Sequence, residues 1–150
     1  MTALAMIFGY IEFLIPINFG IPGMKLGLAN LVVTVAIYTI RPGEAFLINI
    51  VRILLSNLLF GNGMSLIYSL AGGLLSFAVM LLFTKIKDFS VYGVSIAGGV
   101  THNIGQILAA CVVLSNLTIT YYLPVLLISG AITGFIIGFL SARIIPRVTP

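Results

Sequence analysis

The sequence predicts an all-α integral membrane protein, a compact bundle of about six transmembrane helices that form a single domain over residues 1–150. Of the 150 residues, 61% are hydrophobic and only 7% are charged, and the mean hydropathy is +1.26. This composition cannot cover a globular fold with a water-exposed surface, so lipid is the expected solvent. One helical crossing of a hydrocarbon core about 30 Å thick takes roughly 20 residues, so six short spans nearly exhaust the chain.

Glycine, proline and asparagine interrupt the apolar pattern and divide it into candidate spans. We expect the first apolar run to be a membrane helix rather than a cleaved signal peptide, because no basic segment precedes it and Glu12 interrupts it. The segments at 41–44 (RPGE) and 61–63 (GNG) predict tight turns after the second and third spans. The predicted spans cover about residues 2–17, 28–40, 45–60, 64–84, 92–115 and 121–142.

Basic residues lie in alternate connections of this helix pattern. Arg41 lies between spans two and three, Lys85 and Lys87 lie between spans four and five, and Arg143 and Arg147 follow span six. Because basic loops are retained on the cytoplasmic side, this pattern predicts a multi-pass protein with both termini in the cytoplasm. The net charge of +4 is scattered rather than clustered with aromatic residues, so no nucleic-acid partner is expected.

Polar residues within the spans are the candidate functional residues, because a charge at the centre of a bilayer costs about 2.5–3.5 kcal/mol even on insertion scales. Arg52 lies near the middle of span three, on one helical stripe with Asn49 and Ser56, and Asn57 lies beside that stripe. Glu12 is the acidic residue well inside span one, where it would neutralise Arg52 or hydrogen-bond to span five.

Span five is predicted to carry a second polar stripe. Ser95, Gly99, His102 and Gln106 share one face of this helix, and Asn103 flanks that face. The two stripes predict a pocket between helices that opens toward the outer side of the membrane.

Lys25 is the basic residue of the predicted outer loop after span one, where it is placed to close this pocket. Together with Arg52 and His102 it would favour a small ligand that carries an anionic or strongly polar group. The expected ligand-binding residues are Glu12, Lys25, Asn30, Arg52, Asn57, His102, Asn103 and Gln106.

The same residues also fit a structural role. A Glu12–Arg52 pair would clamp two helices, and amide and hydroxyl side chains often hydrogen-bond between membrane helices. Gly130, Gly134 and Gly138 form a GxxxGxxxG ridge, which is typical of close helix packing within a bundle or of docking to a partner subunit. No metal or cofactor is expected, because one histidine, one cysteine and scattered carboxylates do not form a ligand set.

Four segments are similar to a known family. They are IPGMKLGLAN (21–30), RILLSNLLFG (52–61), YSLAGG (68–73) and GGVTHNIGQ (98–106). These segments resemble the Gx transporter family of bacterial membrane proteins, which is also labelled heptaprenyl diphosphate synthase component I. The similarity extends over nearly the whole chain and implies a location in the bacterial cytoplasmic (inner) membrane.

The size and helix pattern of this family are similar to those of the S-components of energy-coupling factor transporters. That resemblance implies a substrate-binding subunit that captures a small polar or anionic ligand, related to a vitamin, an isoprenoid or a quinone, from the outer side. Its partners would be a transmembrane coupling subunit and ATPases, and the loop that carries Lys25 would act as a lid.

The other label implies a non-catalytic membrane subunit that associates with a heptaprenyl diphosphate synthase in menaquinone biosynthesis. Catalysis by this chain is not expected, because prenyl synthases use paired aspartate-rich DDxxD motifs to bind magnesium and diphosphate. The sequence contains a single aspartate, Asp88.

Overall fold

The computed structural model describes residues 1–14 and 27–149, so Lys25 lies outside the described residues. In this part of the chain we find six α-helices and one 3-10 helix, and no strand. The all-α prediction is therefore confirmed for the described residues. The elements are α1 (Thr2–Leu14), α2 (Asn30–Thr39), α3 (Pro42–Phe60), α4 (Gly63–Phe83), α5 (Val91–Leu114), the 3-10 helix (Leu117–Tyr122) and α6 (Leu123–Val148).

Four segments are long and apolar enough to cross a membrane, namely α3, α4, α5 and the continuous 3-10 helix and α6. Their outward faces carry large apolar side chains, such as Leu58, which is 75% exposed, and Val112, which is 78% exposed. Side chains of this kind on uncovered helix faces are stable when lipid surrounds them. The length and the surface of these helices together indicate a membrane protein.

The second helix, α2, is shorter than the span predicted at 28–40. It has 10 residues, which at a rise of 1.5 Å per residue gives about 15 Å, half the thickness of the hydrocarbon core. All residues from Asn30 to Ile37 are buried, and α2 contacts each of the other five α-helices. A helix that is apolar on all sides is stable where protein surrounds it. Its apolar character therefore reflects a position at the centre of the bundle, and α2 alone is too short to span the membrane.

The helix boundaries otherwise follow the predicted spans closely, with two differences. The tight connection predicted at 41–44 is present but consists of Ile40 and Arg41, because α3 already begins at Pro42 with Arg41 as its N-cap. Proline suits the first helical position, because an N–H there would have no acceptor within the helix and because the ring fixes φ at a helical value. At the other end, α6 runs to Val148 through Pro146, which lies in the last turn and leaves the helix without one i→i−4 hydrogen bond. The predicted end of the first span, at 17, lies outside the described residues.

Glycines bring α5 and α6 into backbone contact. A Cβ atom placed on Gly99 would overlap the carbonyl oxygen of Gly130, and one placed on Gly134 would lie 2.6 Å from the carbonyl oxygen of Ser95. Gly138 continues the same seam against the first turn of α5. The structure thus places the GxxxGxxxG ridge in packing within the chain, where small residues let two membrane helices approach closely.

The N-terminus of α4 is held by a capping box. The Asn62 side-chain oxygen accepts a hydrogen bond from the Ser65 N–H at 2.9 Å, and the Ser65 hydroxyl lies 3.5 Å from the Asn62 N–H. We expect Asn62→Ala to lower the free energy of unfolding by about 1 kcal/mol, because one N–H of the first turn loses its acceptor. Thermal unfolding of the detergent-purified protein measures this effect. Asn62→Ser, which retains an acceptor, should stay near the wild type, and equal loss in both variants would contradict the capping role.

Candidate functional site

Arg52 is the centre of a buried polar cluster and is only 6% exposed. Its Nη2 donates to the side-chain oxygens of Asn30 and Asn49, each at 2.8 Å. The amide nitrogen of Asn49 in turn donates to the carbonyl oxygen of Gly73 at 3.0 Å. Arg52 therefore links α3 to the start of α2. Through Asn49, the same network links α3 to the middle of α4.

The first helix contributes a carboxylate to this cluster. Ala5, Gly9 and Glu12 form the buried face of α1, which the helical spacing i, i+4, i+7 directs toward the bundle. Glu12 accepts a hydrogen bond from the N–H of Gly27 and is attracted electrostatically to Arg52. Gly27 has a φ of +85°, a conformation that favours glycine. Glu12 thus supplies the counter-charge for Arg52 and fixes the backbone that enters α2.

The fifth helix contributes His102 and Gln106, which are 3% and 0% exposed. The Gln106 amide nitrogen and His102 Nε2 are 3.0 Å apart, so the imidazole accepts at that nitrogen. A Cβ atom on Gly72 would lie 2.7 Å from the carbonyl oxygen of His102, so α4 packs directly on this part of α5. The close contact holds both polar side chains in place at the centre of the bundle.

Asn103 has a different role from its neighbours. Its amide nitrogen donates to the carbonyl oxygen of Leu126 on α6 at 2.6 Å. The side chain therefore ties α5 to α6, and it does not line the cavity described next. The predicted position of Asn103 beside the polar stripe is correct, but the structure directs its side chain to the other side of α5.

A cavity of about 20 Å³ lies beside Arg52, between α1, α3, α4 and α5. This volume holds about one water molecule. The structure thus brings Glu12, Arg52, Asn57 and His102 together around one small space, and the predicted opening toward the outer side of the membrane stays a prediction. The lining residues are Gly9, Glu12, Gly27, Ala29, Arg52, Ile53, Ser56, Asn57, Ser69 and His102.

Six of the ten lining residues were not among the predicted ligand-binding residues, namely Gly9, Gly27, Ala29, Ile53, Ser56 and Ser69. Ser56 lies on the Arg52 stripe, so its spacing was a usable signal. Ser69 lies on α4, and Gly9 lies on α1 directly against the Ser56 hydroxyl. Single serine and glycine residues are common in membrane helices, so neither carries a pattern that distinguishes it.

Several buried polar atoms around Arg52 have no hydrogen-bond partner among the described residues. They are Arg52 Nε, the Asn30 amide nitrogen and the hydroxyls of Ser56 and Ser69. The first two can only donate, and a buried donor without an acceptor costs about 1–3 kcal/mol. The site is therefore suited to hold an acceptor atom.

Within the described residues no group of three or more His, Cys, Asp or Glu is placed to hold a metal ion.

Comparison with known proteins identifies the family. The sequence profile of the family described as heptaprenyl diphosphate synthase component I matches residues 1–144. No curated protein and no solved structure matches the chain. The expected likeness to S-components therefore stays a prediction. Because the profile covers nearly the whole sequence, the chain belongs to the heptaprenyl diphosphate synthase component I family.

Proposed function

We propose that the chain is the non-catalytic membrane subunit of a heptaprenyl diphosphate synthase. The match to that family over residues 1–144 carries this proposal. One feature of the chain supports a non-catalytic role: the sequence contains a single aspartate, whereas prenyl synthases use paired aspartate-rich motifs. Since a growing isoprenoid chain partitions into lipid, a subunit in the bilayer would keep the soluble catalytic subunit next to the membrane.

The proposed subunit is a single domain of six helices in a bacterial cytoplasmic membrane, with both termini in the cytoplasm. Exposed basic residues support this orientation, because they lie in the C-terminal part of α6 or just after the C-terminal ends of α2 and α4, and alternate helices of a membrane bundle end on the same side. The catalytic subunit would dock on this basic face. Its residues are Arg41, Lys85, Lys87, Arg143 and Arg147.

Co-purification tests this function. When the tagged chain is expressed together with the catalytic prenyl synthase of the same organism, we expect the synthase to be retained in the membrane fraction. Replacing Lys85 and Lys87 with glutamate should lower the retained synthase severalfold, because the charge reversal repels an acidic partner surface. Replacing the same two lysines with arginine preserves the charge and serves as the matched control. A synthase that stays soluble in the presence of the wild-type chain would contradict the proposal.

A second candidate is a substrate-binding subunit of a membrane transporter. The buried cluster around Arg52 favours it, because a charge within a membrane helix bundle often marks a substrate pathway. This candidate gives a different result in the same co-purification: a transmembrane coupling subunit and ATPases would be retained with the chain in place of the synthase.

A further inference from the structure

The hydrogen bonds of Arg52 fix the orientation of two amides. A guanidinium can only donate, so Asn30 and Asn49 must both turn their side-chain oxygens toward it. The amide nitrogen of Asn49 then finds the Gly73 carbonyl, but that of Asn30 has no acceptor among the described residues. The Asn30 amide nitrogen is therefore an unsatisfied hydrogen-bond donor on the α2 side of Arg52.

A second donor comes from Arg52 itself, whose Nε is buried without an acceptor in the described part of the chain. The hydroxyls of Ser56 and Ser69, which line the cavity, have no partner there either and are free to rotate and donate. Arg52, Ser56 and Ser69 all line the cavity, so an atom with several lone pairs in it would satisfy them together, whereas Asn30 is not a lining residue. Charged oxygen acceptors form the strongest hydrogen bonds with a guanidinium.

Among the described residues, the charge of Arg52 is balanced by Glu12 before any ligand arrives. Arg52 faces Glu12 on α1 and His102 on α5, and Glu12 is also held by the Gly27 N–H. An incoming anion would compete with Glu12 for Arg52 and be repelled by the Glu12 carboxylate. Glu12 is therefore expected to weaken anion binding, and its removal to strengthen it.

The size of the cavity limits what enters without movement. Its volume of about 20 Å³ accepts a single oxygen atom, so a larger group requires one wall to move. Among the described elements α1 contacts only α2 and α3, and it lies over Ser56 through Gly9. Of the helices that line the cavity, α1 therefore contacts the fewest other helices and can move with the least disruption.

We propose that the cavity beside Arg52 binds an oxyanion, a carboxylate or phosphate group, which takes hydrogen bonds from Arg52, Ser56 and Ser69 after α1 shifts outward. This inference concerns a different site from the basic face of the proposed function, and it rests on that function only in the choice of a prenyl diphosphate as one of the probes.

Calorimetric titration of the full chain in lipid nanodiscs tests the proposal, with acetate, inorganic phosphate, pyrophosphate, farnesyl diphosphate and farnesol as probes. We expect at least one of the four anions to bind, and uncharged farnesol to bind less well than farnesyl diphosphate. Glu12→Gln should tighten anion binding severalfold, because it removes the competing charge while keeping an acceptor for Gly27. Arg52→Gln should weaken binding about tenfold or more. Arg147→Gln, the same change at an exposed position, should have no effect.

The probes also separate two sources of the oxyanion. Equal binding of pyrophosphate and farnesyl diphosphate indicates a free anion, whereas binding of farnesyl diphosphate alone indicates the head group of a membrane-borne isoprenoid. Either result supports the site if Glu12→Gln tightens it. If no anion binds to the wild type or to Glu12→Gln, or if Glu12→Gln weakens binding, the proposal is overturned. Size-exclusion chromatography verifies folding, and Glu12→Gln decides the question if Arg52→Gln does not fold.

The co-purification experiment is independent of this titration. A chain that retains the synthase but binds no anion overturns the oxyanion site alone. A chain that binds an anion but retains no synthase overturns the proposed function alone.

Discussion

Substituting leucine for Gly99 is expected to prevent stable folding of the bundle. The Cβ atom would overlap the Gly130 carbonyl oxygen, and the Gly134 Cα lies 3.2 Å away, so the obstruction is backbone that no rotamer change can move. Overpacking of a well-packed interior costs about 1–3 kcal/mol, and here α5 and α6 must also separate, so we expect at least the upper end of that range. Detergent-solubilised protein followed by size-exclusion chromatography and thermal unfolding measures the loss.

Gly43 offers a matched control for this substitution. It lies in the first turn of α3, is exposed, and would meet no atom within 4 Å if a Cβ were added. Gly43→Leu should leave stability unchanged or raise it by a few tenths of a kcal/mol, because leucine is a better helix former than glycine. If Gly99→Leu unfolds at the same temperature as the wild type, the seam between α5 and α6 cannot be as close as described.

Arg52→Met is expected to produce the second large loss, about 3–5 kcal/mol in the free energy of unfolding. Methionine preserves much of the volume but leaves Glu12 without its counter-charge, and the oxygens of Asn30 and Asn49 without their donor. The measurement is unfolding of the purified protein in detergent, with Arg147→Met as the exposed control.

A double variant separates the ion pair from the hydrogen bonds. Glu12→Gln combined with Arg52→Met removes both charges, so the double variant should be more stable than Arg52→Met alone. If the double variant is instead less stable than Arg52→Met, Glu12 does not depend on Arg52 for its charge, and the electrostatic link between α1 and α3 would be refuted.

Much of the fold was predictable because lipid imposes strong rules on sequence. Apolar runs separated by glycine and proline located α4 and α5 to within one residue at each end, since a membrane helix must satisfy its backbone internally. The structural position of α2 was not predictable, because a run that faces protein on all sides is as apolar as one that faces lipid. The start of α3 at Pro42 was not predicted, because proline is common both in loops and at the first position of a helix.

The candidate site was predictable to the level of its helices and the faces they present. Periodicity placed Arg52 and His102 on buried faces, because a charged or polar group in a span must face protein. Periodicity does not specify how a helix is rotated about its own axis relative to its neighbours. This rotation directs Asn103 toward α6. The small size of the cavity follows from glycine contacts across pairs of helices, which a single sequence does not specify.

The burial of α2 has a consequence for how the protein is made. A helix that is half the bilayer thickness and has no lipid-facing side gains little from entering the membrane alone, so its insertion must be coupled to that of its neighbours. The long helices α3 to α6 follow α2 in the chain, so the ribosome delivers α2 before the surfaces that will enclose it exist. The enclosure of α2 is therefore completed only after the later helices have been synthesised and have packed around it.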